Sequence, residues 1–222
     1  MTAAFVTATG TGIGKTFVAA GLLRHWRAQG CATAAFKPVV SGFDEAAPQD
    51  SDPALLLEAL GEPVSADTIA RIAPWRFKAP LSPDMAAARE GRCVDVDALI
   101  AFSRDSLADG ARATLIEGVG GIMVPLDARH TVLDWMVALR LPLVLVAGSY
   151  LGAISHALSA LEVLYHRGCE VAATVISETA DSTVPLADTL ATLRRFADPV
   201  IALPRLRGTH EHPAFEQIAR LL

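Results

Sequence analysis

Gly14-Lys15-Thr16 closes the stretch ATGTGIGKTFV, residues 8–18, and these three residues together could hold a phosphate. In the pattern G-x-x-x-x-G-K-[ST], backbone N–H groups cradle phosphate oxygens, the lysine reaches the β/γ-phosphates and the hydroxyl meets Mg²⁺. Here the first position of the pattern is Thr9, with Gly10 and Gly12 inside the loop. A plain glycine-rich turn is the competing reading. It leaves a cation at a helix start, which is unfavourable unless an anion sits there. The phosphate-holding set is therefore read as Gly10, Thr11, Gly12, Ile13, Gly14, Lys15 and Thr16. The chain contains no Asn, so the N-K-x-D signature that reads guanine is absent.

Two acids fall where a metal beside those phosphates would need them. Asp52, in QDSDPALLL, follows the second predicted strand, and Glu117, in TLIEGVGG, ends the third. Mg²⁺ takes oxygen ligands, commonly one or two carboxylates plus nucleotide phosphates. Asp52 precedes Pro53 and reads equally as a helix N-cap. Glu117 has no such ordinary use, because Gly118, Gly120 and Gly121 follow it at once. Lys37, in FKPVVSG, is expected within an apolar strand. It is either paired with an anion there or snorkels from an edge. Ser41 and Gly42 would add hydroxyl and amide donors. Two lysines on one cleft suit a substrate whose negative charge grows as it reacts.

The elements that must position these groups are legible from hydropathy. Candidate strands are Ala3–Thr7, Thr33–Val39, Ala113–Glu117, Leu143–Ala147, Val171–Ile176 and Val200–Leu203. Between them lie candidate helices Lys15–Ala28, Pro53–Leu60, Pro83–Glu90, Val96–Leu107, Val132–Leu139, Ala153–His166 and Val184–Phe196. Apolar strands alternating with helices predict a doubly wound α/β fold of P-loop NTPase type. Its sheet is mostly parallel, with helices on both faces and one domain over residues 1–222. The polar segment 42–51 after a strand end is where such a sheet binds ligands.

Composition agrees. The 222 residues are 52% hydrophobic and 19% charged, enough for a large core. The net charge of −5 disfavours nucleic-acid binding through a basic face. Cys31, Cys93 and Cys169 are expected as reduced, buried thiols of a cytoplasmic protein. The first residues carry no basic n-region, and LPLVLVAGSYLGAI is too interrupted to span a bilayer. His210 and His212, around Glu211, read as a solvated turn. His25, His130, His156 and His166 read as helix or loop residues, and Trp75 and Trp135 as packing.

Taken in order, the motifs TGTGIGKT, KPVVSG, SDPALLL, APLSP with EGR, IEGVGG with PL, and GSYLGAISHAL resemble the dethiobiotin synthetase family from about Phe5 to Pro204. The resemblance implies that a 7,8-diaminononanoate amine captures CO₂ as a carbamate. ATP then phosphorylates the carbamate to a carbamic–phosphoric anhydride, and the second amine closes the ureido ring. It implies that Lys15 and Lys37 neutralise the moving charge with Thr11 beside them. Thr16, Asp52 and Glu117 would hold Mg²⁺. Ser41 with Gly118, Val119, Gly120 and Gly121 would line the substrate pocket. It further implies a homodimer in which Leu151, Gly152, Ala153 and Ser155 of one subunit bind the carboxylate of the substrate held by the other.

Departures from the family are local. Gly12 replaces a glutamate found in some members, and Ala8 an opening glycine. Ser177 replaces an adenine-reading asparagine, with Pro204, Arg205 and Leu206 the next candidates to read the base. Ser155 also stands where asparagine is frequent. Two other readings share the core. A cobyrinate-diamide-type amidoligase needs a glutaminase domain that 222 residues do not accommodate. An ATP-driven switch or metallochaperone usually carries a Cys or His cluster, or a lysine where Gly10 stands.

Overall fold

The computed structural model describes residues 2–108, 113–206 and 211–222. Its main sheet has six strands: β1 (Thr2–Ala8), β2 (Thr33–Phe36), β5 (Ala113–Glu117), β6 (Leu143–Ala147), β7 (Val171–Ser177) and β8 (Val200–Leu203). They lie in the order β2-β5-β1-β6-β7-β8, and every pairing is parallel. β1 is central, and the chain builds outward from it on both sides. That reversal opens a crevice at the carboxyl ends of the strands, where α/β sheets bind ligands.

Side-chain alternation divides the core between the two faces. Ala4, Val6, Leu115, Val144 and Val146 pack with helices α1 (Lys15–Ala28) and α2 (Asp52–Leu60). Phe5, Ile116, Leu143 and Leu145 pack with α5 (Val96–Leu107), α6 (Val132–Leu139) and α7 (Ala153–His166). In the second layer Trp135 is fully buried with its ring edge-on to Phe5 at 4.8 Å. Its indole N–H donates to Ser103 Oγ at 3.0 Å, which in turn donates to Leu99 O at 2.8 Å. Trp135 is thus a packing residue, as expected.

Several boundaries differ from the sequence reading, each for a physical reason. The strand expected over Thr33–Val39 is broken. β2 stops at Phe36 and a second piece, β3 (Val39–Ser41), pairs in parallel with β4 (Trp75–Phe77) as a separate ribbon. Pro38 has no N–H for a ladder and so marks the break. Its carbonyl accepts from Trp75 N at 2.9 Å. The helix expected from Val184 is α8 (Leu186–Leu193), because the residue before Pro185 is disfavoured in a helix. Helix α3 (Ala66–Ile72), opened by a Ser65–Thr68 capping box, and α9 (Pro213–Ala219) were absent from that reading. α4 spans Pro83–Arg89.

The thiols also depart from expectation. Cys31 and Cys93 are exposed and Cys169 is half-buried, and none is in a disulfide. His212 accepts from Ala214 N and caps α9, while His210 lies outside the described residues. Among the described residues no helix is long and apolar enough to cross a membrane.

The segment from β5 to α6 is tied by Asp127. Its Oδ1 accepts from the amides of Arg129 and His130 at 2.7 Å each, and its Oδ2 faces His130 Nδ1 at 2.9 Å. Slight burial pushes this carboxyl up, but those bonds outweigh it and bring the pKa from 3.8 to about 2. A folded pKa below the unfolded value contributes stability above about pH 4 that disappears as the pH falls toward 2. Asp127→Asn is therefore expected to lower unfolding stability by about 1 kcal/mol at neutral pH. The gap from wild type should close in urea titrations between pH 4 and 2. A gap independent of pH would remove this role.

Candidate active site

The loop after β1 is left with donors to spare. Gly12 and Gly14 have φ of 72° and 103°, where a Cβ is strained, so only glycine turns the chain here without cost. The amides of residues 10–14 donate to no described partner. α1 starts behind this loop with neither a side-chain cap nor an acid in its first turn. Its positive end is uncompensated and aimed at whatever the loop holds.

Lys15 and Thr16 begin α1 and are both buried. Lys15 Nζ donates to Gly120 O at 2.9 Å and to Gly10 O at 3.3 Å. Burial lowers its pKa from 10.5 to about 8, with the Lys37 charge adding to the fall and Glu117 and Asp52 opposing it. Thr16 Oγ1 donates to Glu117 Oε1 at 2.7 Å.

The break at Pro38 turns Lys37 inward. β2 ends at Phe36, so Lys37 lies outside the strand, and its side chain, 3% exposed, does not snorkel from an edge. Its Nζ meets Glu117 Oε1 at 2.5 Å, Asp52 Oδ2 at 3.1 Å and Gly118 O at 3.1 Å. Burial pulls its pKa down, but the charges and hydrogen bonds of Glu117 and Asp52 outweigh that and raise it. Burial pushes Asp52 up, and Lys37, Thr16 and Lys15 outweigh it and lower it. Lys37 and Asp52 are therefore both charged. Asp52 does not cap its helix: Ser51 does, accepting from Ala54 N at 3.4 Å. The Asp52 carboxylate is free for Lys37.

A cavity of about 720 Å³ opens over this cluster. Of the residues singled out in the sequence it is lined by Thr11, Gly12, Gly14, Lys15, Thr16, Lys37, Ser41, Asp52, Val119 and Gly120. Pro80, Leu81, Ser82 and Pro83 complete the facing wall, a contribution legible only as the motif APLSP. The Ser41 and Ser82 hydroxyls and Glu117 Oε2 are buried with no partner among the described residues. Other expected donors are already in use. The Gly118 amide bonds Val6 O at 2.9 Å and the Gly42 amide bonds Ala79 O at 3.0 Å. Gly10 and Gly121 line a neighbouring apolar groove, and Ile13 packs into the core. Ser177 stands against the phosphate loop, its Oγ 2.9 Å from where a Cβ on Gly14 would be. Arg205 N is held by Glu178 at 2.8 Å beside Pro204, and Leu206 packs on the core. Leu151, Gly152, Ala153 and Ser155 lie outside the cavity, and the Ala153 amide is taken by Tyr150 O at 2.9 Å.

A parallel sheet, an amide-lined turn into a helix opened by Lys15-Thr16, and a strand-end carboxylate on that threonine define a P-loop nucleotide-binding protein. Solved structures share this fold. The Pyrococcus furiosus cell division ATPase MinD aligns with a TM-score of 0.56 at 12% identity, covering 100% of this chain and 97% of its own. The signal recognition particle receptor FtsY from Elizabethkingia anophelis gives 0.55 at 12% identity, covering 99% of this chain and 65% of its own. A family model described as AAA domain matches residues 2–208. The ATP-dependent dethiobiotin synthetase BioD of Acidiphilium cryptum (strain JF-5) is 51% identical over 192 residues, 86% of each chain. Its namesake in Caulobacter vibrioides (strain NA1000 / CB15N) is 49% identical over 208 residues, 92% of this chain and 93% of its own. The chain belongs to the dethiobiotin synthetase family.

The Glu117–Lys37 contact yields a stability test. Removing one partner of a buried pair strands the other charge and costs about 3–5 kcal/mol. Glu117→Ala is expected to lose that much in ligand-free unfolding. Adding Lys37→Met should restore part of it, since no lysine charge then stays buried. Strictly additive losses would refute the pairing.

Proposed function

We propose that the chain joins CO₂ to 7,8-diaminononanoate with ATP, giving dethiobiotin, ADP and phosphate through a carbamic–phosphoric anhydride. The observation that carries this reading is the meeting of Lys15 and Lys37 in one cavity beside the phosphate loop. One amine nitrogen bonds to CO₂ and yields a carbamate anion. A carbamate oxygen attacks the γ-phosphorus and ADP leaves. The second amine attacks the carbonyl carbon and phosphate departs. Reaction needs carbamate oxygen, phosphorus and leaving oxygen in line, so positioning and charge neutralisation do most of the work.

In this reading the amides of residues 10–14 hold the phosphates and Lys15 neutralises their outer charge. Lys37 faces the carbamate. Thr11, Ser41 and the Val119–Gly120 backbone position the diamine. Thr16, Asp52 and Glu117 would hold Mg²⁺. They fit it, because all their donors are oxygen and Glu117 Oε2 is a buried acceptor with no partner among the described residues. Mg²⁺ bound there supplies positive charge to the β- and γ-phosphate oxygens. Hydroxyl and carboxylate oxygens suit a hard cation and not a soft one.

A homodimer completes the proposal. Leu151 is 82% and Met123 55% exposed, large apolar surfaces that suit coverage by a second copy. An apolar groove of about 520 Å³ between Met123 and α7 runs beside the cavity and shares Thr11 and Val124 with it. The Leu151–Ser155 turn would reach the partner's substrate carboxylate. Consumption of ATP, and free cysteines at positions 31, 93 and 169, suit the cytoplasm.

Incubation with 7,8-diaminononanoate, bicarbonate, Mg²⁺ and ATP tests the reaction. Phosphate release is expected to require the diamine, and to fall at least about a hundredfold in a folded Lys15→Ala variant. Release indifferent to the diamine would point to a switch ATPase instead. Base selection gives a second test. Ser177 cannot present an amide's paired donor and acceptor to adenine. CTP, GTP and UTP are expected to support kcat/KM within a modest factor of ATP. A preference above about a hundredfold, about 2.7 kcal/mol, would assign the base to other residues, Pro204–Leu206 first.

A further inference from the structure

Lys37 lines the reaction cavity, yet it has nothing left to offer a substrate. An ammonium has three N–H donors. Here they are met by Glu117 Oε1 at 2.5 Å, Asp52 Oδ2 at 3.1 Å and Gly118 O at 3.1 Å. Before this side chain can face a carbamate it must release at least one partner. Two of its three partners are the carboxylates read above as metal ligands.

We infer that Lys37 is a resident counter-ion of the Glu117–Asp52 pair, which a divalent cation displaces and so turns toward the substrate's anion. The inference rests on the metal reading of Thr16, Asp52 and Glu117. Two carboxylates carry two negative charges and Lys37 neutralises one. A dication neutralises both and leaves the ammonium unpaired beside a stronger cation, so like-charge repulsion drives it off. The route in is open, since the Asp52 side chain is 45% exposed while that of Lys37 is 3% exposed. Glu117 Oε2 is a second oxygen on the same carboxylate, with no partner among the described residues. The open side for the released Nζ is the cavity it already lines. Metal arrival would thus arm the lysine, and without metal the lysine stays locked. This makes Lys37 a sensor of the loaded site as well as a charge on the substrate.

The test needs no turnover. Mn²⁺ binding is titrated by electron paramagnetic resonance, with and without ADP, for wild type, Lys37→Met and Lys37→Arg. Competition by a resident cation predicts that Lys37→Met binds Mn²⁺ about tenfold tighter or more, within the usual range of site coupling. Lys37→Arg keeps the charge and should stay within about threefold of wild type. Equal or weaker binding by Lys37→Met overturns the displacement while leaving the metal site standing. Absence of Mn²⁺ binding in all three proteins, with and without ADP, overturns both readings. Should Lys37→Met fail to fold, nitrogen-15 NMR of the lysine ammonium groups in wild type decides alone. The Lys37 resonance, assigned by its loss in Lys37→Arg, is expected to shift or exchange-broaden as Mg²⁺ saturates the site. An unchanged resonance at saturation overturns the displacement.

Discussion

Glu117 is 1% exposed, and one of its oxygens accepts from both Thr16 and Lys37. A carboxylate so far from water is costly unless its charge is matched and its lone pairs are used. That constraint organises the site. It fixes the end of β5 against the start of α1. It draws Lys37 out of the sheet, and through Lys37 it fixes Asp52 at the start of α2. The phosphate loop, the broken second strand and the second helix are located relative to one buried charge.

The cluster is held in tension. Lys15 is placed where an anion belongs, and burial has already lowered its proton affinity toward neutrality. Ser41 and Ser82 hold buried hydroxyls without partners among the described residues. The loop amides of residues 10–14 donate to no described partner. Each is a local cost of the kind functional sites retain because a ligand relieves it. The rest of the fold is conventional: a parallel sheet with aliphatic layers on both faces, sealed by the Phe5–Trp135–Ser103 contact.

Family membership and geometry meet at the same residues from different directions. Nearly half the chain is identical to BioD sequences across most of its length. MinD and FtsY share the architecture at a tenth of the sequence. The architecture is therefore general to the fold, while Lys37 and the wall of Pro80–Pro83 line the cavity of this chain.

What the sequence determined by itself was local. The phosphate loop needs residues within a few positions of one another, and the helices Lys15–Ala28, Val96–Leu107, Val132–Leu139 and Ala153–His166 follow from hydropathy at their observed bounds. β5, β6 and β8 follow in the same way. A three-residue strand such as Trp75–Phe77 carries too little pattern to be seen, and Pro38 was legible as a break only in hindsight of its unpaired ladder. Whether Asp52 caps a helix or serves as a metal ligand was open in the sequence, because both uses suit an acid before a proline. Tertiary structure excludes the cap, which Ser51 supplies, and sets Asp52 against Lys37. Glu117 reaches Lys37 across 80 positions and Thr16 across 101. No local rule links residues so far apart. Burial brings them together, because a lysine and a glutamate shut away from water are tolerable only in each other's company.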